Sequence, residues 1–328
     1  MRNFKVGSFN LYNLVLPNHV YYGNRSYTDS DYMKKLDWIR SQVQSMEAQI
    51  IGFQEIFHKE ALVAALNGTQ FNAENVYVLG ETGVSPVVGL ASALPISEAP
   101  ESIENIPVEV TNVIAGIPEE FKKFSRSPLK VKLSLPEDSC LTILVCHLKS
   151  KRPTILEGED GNDFMIQAIG ETRSLLRRAI EASGIRKLVL DELAENVSPL
   201  ILVGDLNDST RSVSTNIIAG PNPWKFDPIE VKKQYWDRAL YSAFDIISQK
   251  SFKTDWPTYI YNGHYEELDH IYISQEFFFR NRDRIGELDY VHILDDHLKD
   301  NTLSRDQLPN WQSDHGQVVA TIRLLNSR

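Results

Sequence analysis

Leu200-Ile201-Leu202-Val203-Gly204-Asp205-Leu206-Asn207-Asp208 reads as a buried strand that breaks on a cluster of polar side chains. Four aliphatic residues in a row, with no polar neighbour among them, describe a strand covered on both faces. Gly204 and the three Asp and Asn residues after it supply the stop. The same construction recurs along the chain. Residues 4–11 carry Ser8-Phe9-Asn10, Ile50-Ile51-Gly52-Phe53 runs into Gln54-Glu55, and residues 141–148 deliver Cys146-His147. Glu267-Leu268-Asp269-His270 opens the run 268–274, and Ser313-Asp314-His315 precedes the run 316–324. Further strand-like runs lie at 76–79, 87–93, 129–135 and 287–294.

Helical spacing is confined to two places. Tyr32, Leu36, Ile39, Val43 and Met46 predict a helix over 31–46, with Thr28 or Ser30 as its cap. A second helical pattern runs from Asp163 to Glu195, with an interruption expected near Gly184. Residues 209–233 read as a long loop, with Pro221, Pro223 and Pro228 around Trp224 and Phe226. Strands outnumber helices and several follow one another with no helix between. That pattern predicts an α/β (α+β) four-layered sandwich, two packed mixed β-sheets flanked by helices. With no repeat and no linker-like stretch, one domain is expected over 1–328.

Composition bounds the function. The chain has 328 residues, 42% hydrophobic and 24% charged, which excludes wholesale disorder. No apolar run approaches the roughly 20 residues of a membrane span. Lys and Arg number 34 against 44 Asp and Glu, so the net charge is −10. A net anion does not hold nucleic acid by bulk charge, and a polyanion would need a local basic strip or a bound cation. Cys140 and Cys146 are the only cysteines. Within one strand they stand about 20 Å apart and cannot bridge. A reduced compartment is therefore expected, and the N-terminus lacks the apolar core of a signal peptide. The expectation is cytoplasmic, or secreted where the chain starts after a removed signal.

A single strand-terminal Asp more often closes a turn than catalyses anything. Recurrence at several strand ends, which a layered sheet can bring to one cleft, tips the balance. The side chains collected are carboxylates, amides and imidazoles. They suit a hard ion such as Mg²⁺, which takes oxygen ligands and keeps several waters. No Cys-x-x-Cys or His-x-x-x-His spacing indicates zinc, and neither a Walker loop nor a Gly-x-Ser-x-Gly elbow is present. Metal-assisted phosphoester hydrolysis is the chemistry these residues can perform together.

In chain order, Ser8-Phe9-Asn10, Gln54-Glu55, His147-Leu148, Gly204-Asp205-Leu206-Asn207, Leu268-Asp269-His270-Ile271-Tyr272 and Ser313-Asp314-His315 resemble the endonuclease/exonuclease/phosphatase superfamily. The resemblance spans nearly the whole chain. It implies a divalent ion, Mg²⁺ with Mn²⁺ or Ca²⁺ as substitutes, held by Glu55 with Asn10 and supported by Asp314. By the same resemblance His315 is a general base or phosphate-stabilising group polarised by Asp269. Asp205 and Asn207 position the attacking water and a phosphate oxygen, and His147 steadies the charge that develops on phosphorus. His264 and His270 match no role.

Lys149, Lys151 and Arg152 form a basic strip directly after His147, able to grip flanking phosphates or simply to solvate a strand exit. Arg173 falls where superfamily members often turn an arginine to the site, and a structural ion pair explains it equally well. Trp224 and Phe226 around Lys225 could stack on bases, form a lid or enter a lipid surface, and plain packing is the simplest reading. Trp311 could serve as a pocket wall. The expected function is a Mg²⁺-dependent nuclease with nucleic acid as substrate. The alternative is a phosphatase or phosphodiesterase of small or lipid phosphates. A silent binding module is disfavoured, since Asn10, Glu55, His147, Asp205, Asn207, Asp269, Asp314 and His315 are all in place.

Overall fold

A computed structural model describes residues 3–112, 117–135, 139–194, 199–253, 255–302 and 308–325. The first strands are β1 (Asn3–Leu14), β2 (Ile50–Ile56), β3 (Val76–Val78), β4 (Val87–Ser92), β5 (Glu101–Ser102), β6 (Leu129–Ser134) and β7 (Cys140–His147). The rest are β8 (Leu200–Asp205), β9 (Tyr241–Ser242), β10 (Tyr259–Tyr261), β11 (His264–Glu266), β12 (Asp269–Ile273), β13 (Gly286–Leu294) and β14 (Gln317–Leu324). The helices are α1 (Asp29–Met46), α2 (Lys59–Leu66), α3 (Val108–Thr111), α4 (Phe164–Ala194), α5 (Val213–Ala219), α6 (Ile229–Arg238), α7 (Ala243–Ser251) and α8 (Asp296–Thr302). None of the described helices is long and apolar enough to cross a membrane.

Two six-stranded mixed sheets stack face to face. The first has the order β13-β14-β1-β2-β4-β3 and the second β5-β6-β7-β8-β12-β9. Between them lies a core drawn from both, including Val6, Ile50, Leu90, Ile143, Val145, Val203, Ile271 and Ala320. The outer face of the first sheet carries Phe9, Ile51 and Phe53 against Leu36, Ile39 and Val43 of α1 and Leu62 of α2. The outer face of the second buries Leu144, Leu200 and Leu202 against Ile185, Val189 and Leu193 of α4. This is the expected four-layered sandwich.

Strand alternation positions the site. With Ile143 and Val145, Val203, and Ile271 all facing the inter-sheet core, the period of two turns His147, Asp205 and Asp269 to the same side. Register then aligns them, His147 opposite Asp205 and Asp205 opposite Asp269. Two glycines allow close approach around that row, Gly52 between the sheets and Gly204 against its neighbour strand β7. A Cβ on Gly52 would stand 2.4 Å from Val203 Cγ2 of the facing sheet, and one on Gly204 (φ 151°) would meet Cys146 O at 1.9 Å.

Several expectations need correcting. α4 runs unbroken through Gly184, because that glycine gives room to Phe124, whose Cζ would lie 2.8 Å from a Cβ there. The expected helix end at Glu195 lies outside the described residues. The stretch 209–233 holds α5 and the first turns of α6, with Pro228 at the α6 cap rather than breaking it. α2, α7 and the β10–β11 hairpin have no counterpart in the sequence reading. At α1, Thr28 is the cap, its hydroxyl accepting from Asp31 N at 3.1 Å.

Candidate active site

Asp205 ends β8 at the centre of the cleft and is 1% exposed. Its Oδ2 accepts from Asn10 Nδ2 at 3.0 Å, the polar bond that joins β1 of one sheet to β8 of the other. The same oxygen lies 3.4 Å from His147 Nε2 and 4.0 Å from His315 Nε2, while Oδ1 accepts from Asn207 N at 2.9 Å. Asn207 stands in the left-handed region (φ 53°), and its Nδ2 donates to Leu148 O at 3.0 Å, closing the loop onto the β7 exit.

His315 Nδ1 is 2.7 Å from Asp269 Oδ2, and Thr258 Oγ1 donates to that oxygen at 2.7 Å. Thr258 Oγ1 in turn accepts from Leu268 N and Asp269 N. With Nδ1 spent on Asp269, the imidazole presents Nε2 to Asp205 and, at 3.9 Å, to Asp314 Oδ1. The Tyr259 ring covers it, 4.9 Å between centroids. Asp314 and His315 arrive together because Ser313 Oγ donates to Asn10 O at 2.7 Å and accepts from His315 N at 3.0 Å.

Glu55 sits at a register break near the end of β2 in the left-handed region (φ 62°), a conformation that costs energy in a non-glycine residue. Tyr12 (φ 50°) and Asn13 (φ 60°) form the matching register break near the end of β1. Tyr12 N donates to Asn10 Oδ1 at 3.0 Å, and Asn13 N donates to Glu55 Oε2 at 2.9 Å. Asn10, Glu55 and Asp314 thus reach the centre from three segments. Asn13 Oδ1 is buried beside them without a hydrogen-bond partner among the described residues.

The electrostatics separate the imidazoles. Burial, with Arg126 and His315 nearby, holds His147 well below the ordinary histidine range, so it is neutral. Burial also works against a charged His315, but Asp269, Asp205 and Asp314 outweigh it and hold that group well above its ordinary value. Burial pushes Asp205 up to about 7, with Asp269 and Glu55 adding to it and His315 opposing. Asp314 is pushed up to about 6 by burial and by Glu55, again against His315.

Stability should therefore depend on pH through Asp205. Its carboxyl is raised in the folded state, so its contribution is full below the ordinary carboxylate pKa and is lost as pH climbs through about 7. Asp205→Asn has no such loss. In EDTA, its stability relative to the parent should improve by on the order of 2 kcal/mol between pH 5 and pH 8. Thermal melts across that range check it, and parallel curves for the two proteins would contradict it.

Most of the expected residues meet here: Asn10, Glu55, His147, Asp205, Asn207, Asp269, Asp314 and His315. Lys149 is part-buried, its backbone N donating to Glu181 and its ammonium to Ser150 Oγ and Arg152 O. Burial, then Arg126, lowers it to about 8. Lys151 is paired with Glu266 of the β10–β11 hairpin. Arg173 is a correction: both its terminal nitrogens bond Glu159, at 2.7 and 2.8 Å, and one also bonds Thr154 O, so the guanidinium braces the loop after β7. Trp224 and Phe226 are exposed and meet edge to face at 5.0 Å. His270 is buried away from the row, its Nε2 bonded to Asp208 O at 2.7 Å.

Sequence reasoning missed Arg126, whose Nη1 donates to Leu148 O at 3.3 Å while its buried Nε has no hydrogen-bond partner among the described residues. It also missed Thr258 and Tyr259. Asp205, Asp269 and His315 each offer a ligand atom, all within 4.8 Å of one another, a group able to hold a metal ion.

A family model described as the endonuclease/exonuclease/phosphatase family matches residues 7–315. No curated protein matches the chain significantly. Solved structures share its fold. D. rerio TDP2 complexed with a single-strand DNA product is 10% identical with a TM-score of 0.55, over 98% of this chain and 100% of that one. The human Nocturnin catalytic domain with bound sulfate is 13% identical at TM-score 0.52, over 99% and 95%. Bacteroides thetaiotaomicron mannosyl-6-phosphatase Bt3783 is 12% identical at TM-score 0.52, over 97% and 99%. Matched from Gly7 within β1 to the His315 that faces Asp205, the chain belongs to the endonuclease/exonuclease/phosphatase family, whose members hydrolyse phosphoester bonds.

Proposed function

We propose that the chain is a Mg²⁺-dependent phosphodiesterase that cleaves nucleic acid by attack of a water activated beside Asp205. The observation that carries the nucleic-acid reading is a pair of unlike walls around one acid–base centre. On one side Arg126, with no ion-pair partner among the described residues, and the part-buried Lys149 stand next to His147. On the other, Tyr259 lies against His315 and stacks on Tyr261 at 6.3 Å and 13°. Tyr261 is 58% and Tyr265 61% exposed on the same hairpin. Cations suit flanking phosphates and open aromatic rings suit unstacked bases. The fold neighbour holding a single-strand DNA product agrees with this reading.

The side chains divide the work. Asp205, with an affinity for protons near neutrality, takes the proton of the attacking water through Oδ2. Asn10 orients that oxygen. His315, kept cationic by Asp269, and neutral His147 donate to the phosphoryl oxygens as charge builds on them. Asn10, Glu55 and Asp314 would hold the Mg²⁺. The fit rests on a hard-oxygen donor set in which Glu55 raises Asp314, and on the orphaned Asn13 Oδ1 beside it. Once bound there, the ion supplies Lewis-acid charge to a phosphoryl oxygen. Cationic His315 makes the Asp205–Asp269–His315 group a proton relay in this reading rather than the primary ion site.

The test is a hydrolysis panel in Mg²⁺ or EDTA, with single- and double-stranded DNA, RNA, an abasic duplex, inositol phosphates and sphingomyelin. Cleavage of a polynucleotide in Mg²⁺ alone supports the proposal, and survival of all nucleic acids overturns it. Release from a small phosphate only would favour the second reading, a phosphatase of small phosphates, to which the net charge of −10 lends support. Arg126→Ala and Lys149→Ala should each raise KM for long substrates about tenfold and cut the salt slope by about one, leaving a minimal phosphodiester less affected. Equal losses on both substrates would remove the phosphate-gripping role.

A further inference from the structure

Lys35 is a fully buried lysine on α1, 0% exposed, whereas its neighbour Lys34 lies on the surface. Its Nζ donates to Tyr12 O at 2.9 Å and to Asn310 O at 3.4 Å. Tyr27 Oη donates to the same two carbonyls, at 3.2 and 3.3 Å, and the ammonium sits 5.5 and 5.2 Å from the Tyr12 and Tyr27 ring centroids. Neither carbonyl is incidental. Tyr12 belongs to the irregular end of β1 whose amides grip Asn10 and Glu55, and Asn310 lies four residues before Asp314 on the segment that Ser313 ties to Asn10. The ammonium therefore spans both backbone segments that bring ion-holding oxygens together.

Below neutral pH it also carries a charge that no carboxylate pairs within ion-pair distance among the described residues. A buried ammonium is costly unless compensated. Two carbonyls and two ring faces compensate part of it. Burial lowers its proton affinity to about 7, only partly opposed by Asp314 and Glu55, so the ammonium is fully charged below neutral pH.

We propose that Lys35 is a positioning residue and built-in counter-charge for the Asn10–Glu55–Asp314 corner, holding its two backbone segments in place and opposing the entry of a divalent cation. The inference rests on the metal reading above. Lys35 and the bound ion are then two cations serving one pair of carboxylates. Removing the first should strengthen the hold on the second, whereas loss of a merely structural residue would weaken it.

Lys35→Gln is the informative change, because it keeps an N–H donor on the same path, one bond short of the ammonium, while the charge is gone. Thermal melts of the parent, Lys35→Gln and Lys35→Arg are followed at pH 6, where the lysine is protonated, in EDTA and through a titration with Mg²⁺ alone. Lys35→Gln should melt lower in EDTA, gain more from Mg²⁺ than the parent, and half-saturate at roughly tenfold lower Mg²⁺, the size expected for one unit charge near a part-buried cluster. Lys35→Arg should keep the parental response. An unchanged or weakened Mg²⁺ response in Lys35→Gln overturns the proposal, provided the parent responds. Absence of any response in the parent overturns the metal reading instead. Should Lys35→Gln not fold in EDTA, recovery of a cooperative melt in millimolar Mg²⁺ supports the proposal, and failure to fold with the ion present sinks it.

Discussion

Asp205→Asn is expected to lower kcat by roughly 10²–10⁴-fold while the protein stays folded. The carboxylate is an acceptor at both oxygens, Oδ1 from Asn207 N and Oδ2 from Asn10 Nδ2. An amide has one acceptor, so either orientation sets its NH₂ against one of those donors. The variant also loses the proton acceptor that faces His147 and His315. Any residual rate should come from binding and phosphate stabilisation by the remaining groups, so substrate affinity should fall far less than turnover. Initial rates normalised to the folded fraction decide the matter. Retention of more than about a tenth of parental turnover would be inconsistent with a proton-accepting role of this size.

This site was legible in the sequence because it sits at strand ends. Short apolar runs mark where the strands stop on His147 and Asp205 and where one starts at Asp269, while the face those residues share is set by which aliphatic side of each strand meets the inter-sheet core. Parts that depend on non-local backbone were not legible. Nothing in Gln54-Glu55 announces the left-handed φ at the register break near the end of β2, and nothing in Lys34-Lys35 says which of two adjacent lysines is buried. The hairpin carrying Tyr259 could have been found, since Asn262-Gly263 between Tyr259-Ile260-Tyr261 and His264-Tyr265 is a strong two-residue turn signal. Prolines misled in the other direction. Pro228 caps α6 by filling a position that needs no donor, yet a cluster of prolines reads as loop. At Gly184, packing against Phe124 and Ile106 overrides a weak local preference. For Arg173, of the two readings the sequence left open, the structure shows the ion pair, with Glu159 at 2.7 Å.

His315→Ala should cost turnover on the same scale as Asp205→Asn, and its partner tells how the loss arises. Asp269 is 0% exposed, shares Oδ2 between His315 Nδ1 and Thr258 Oγ1, and leaves Oδ1 without a partner among the described residues. Such a carboxylate can act on substrate only through the imidazole. Asp269→Asn keeps the shape but removes the charge that, with Asp205 and Asp314, outweighs burial and keeps His315 cationic. The histidine should then lose its proton at lower pH, and the alkaline limb of kcat should move to lower pH, with a rate loss smaller than that of His315→Ala. Combining the two changes should cost no more than His315→Ala alone, because a positioning carboxylate has nothing left to position. Multiplicative losses in the double variant would show that Asp269 acts independently of His315. In that case the Asp205–Asp269–His315 group would be better read as an ion site than as a proton relay, and chelation of the wild-type protein should abolish the thermal stabilisation those three residues share.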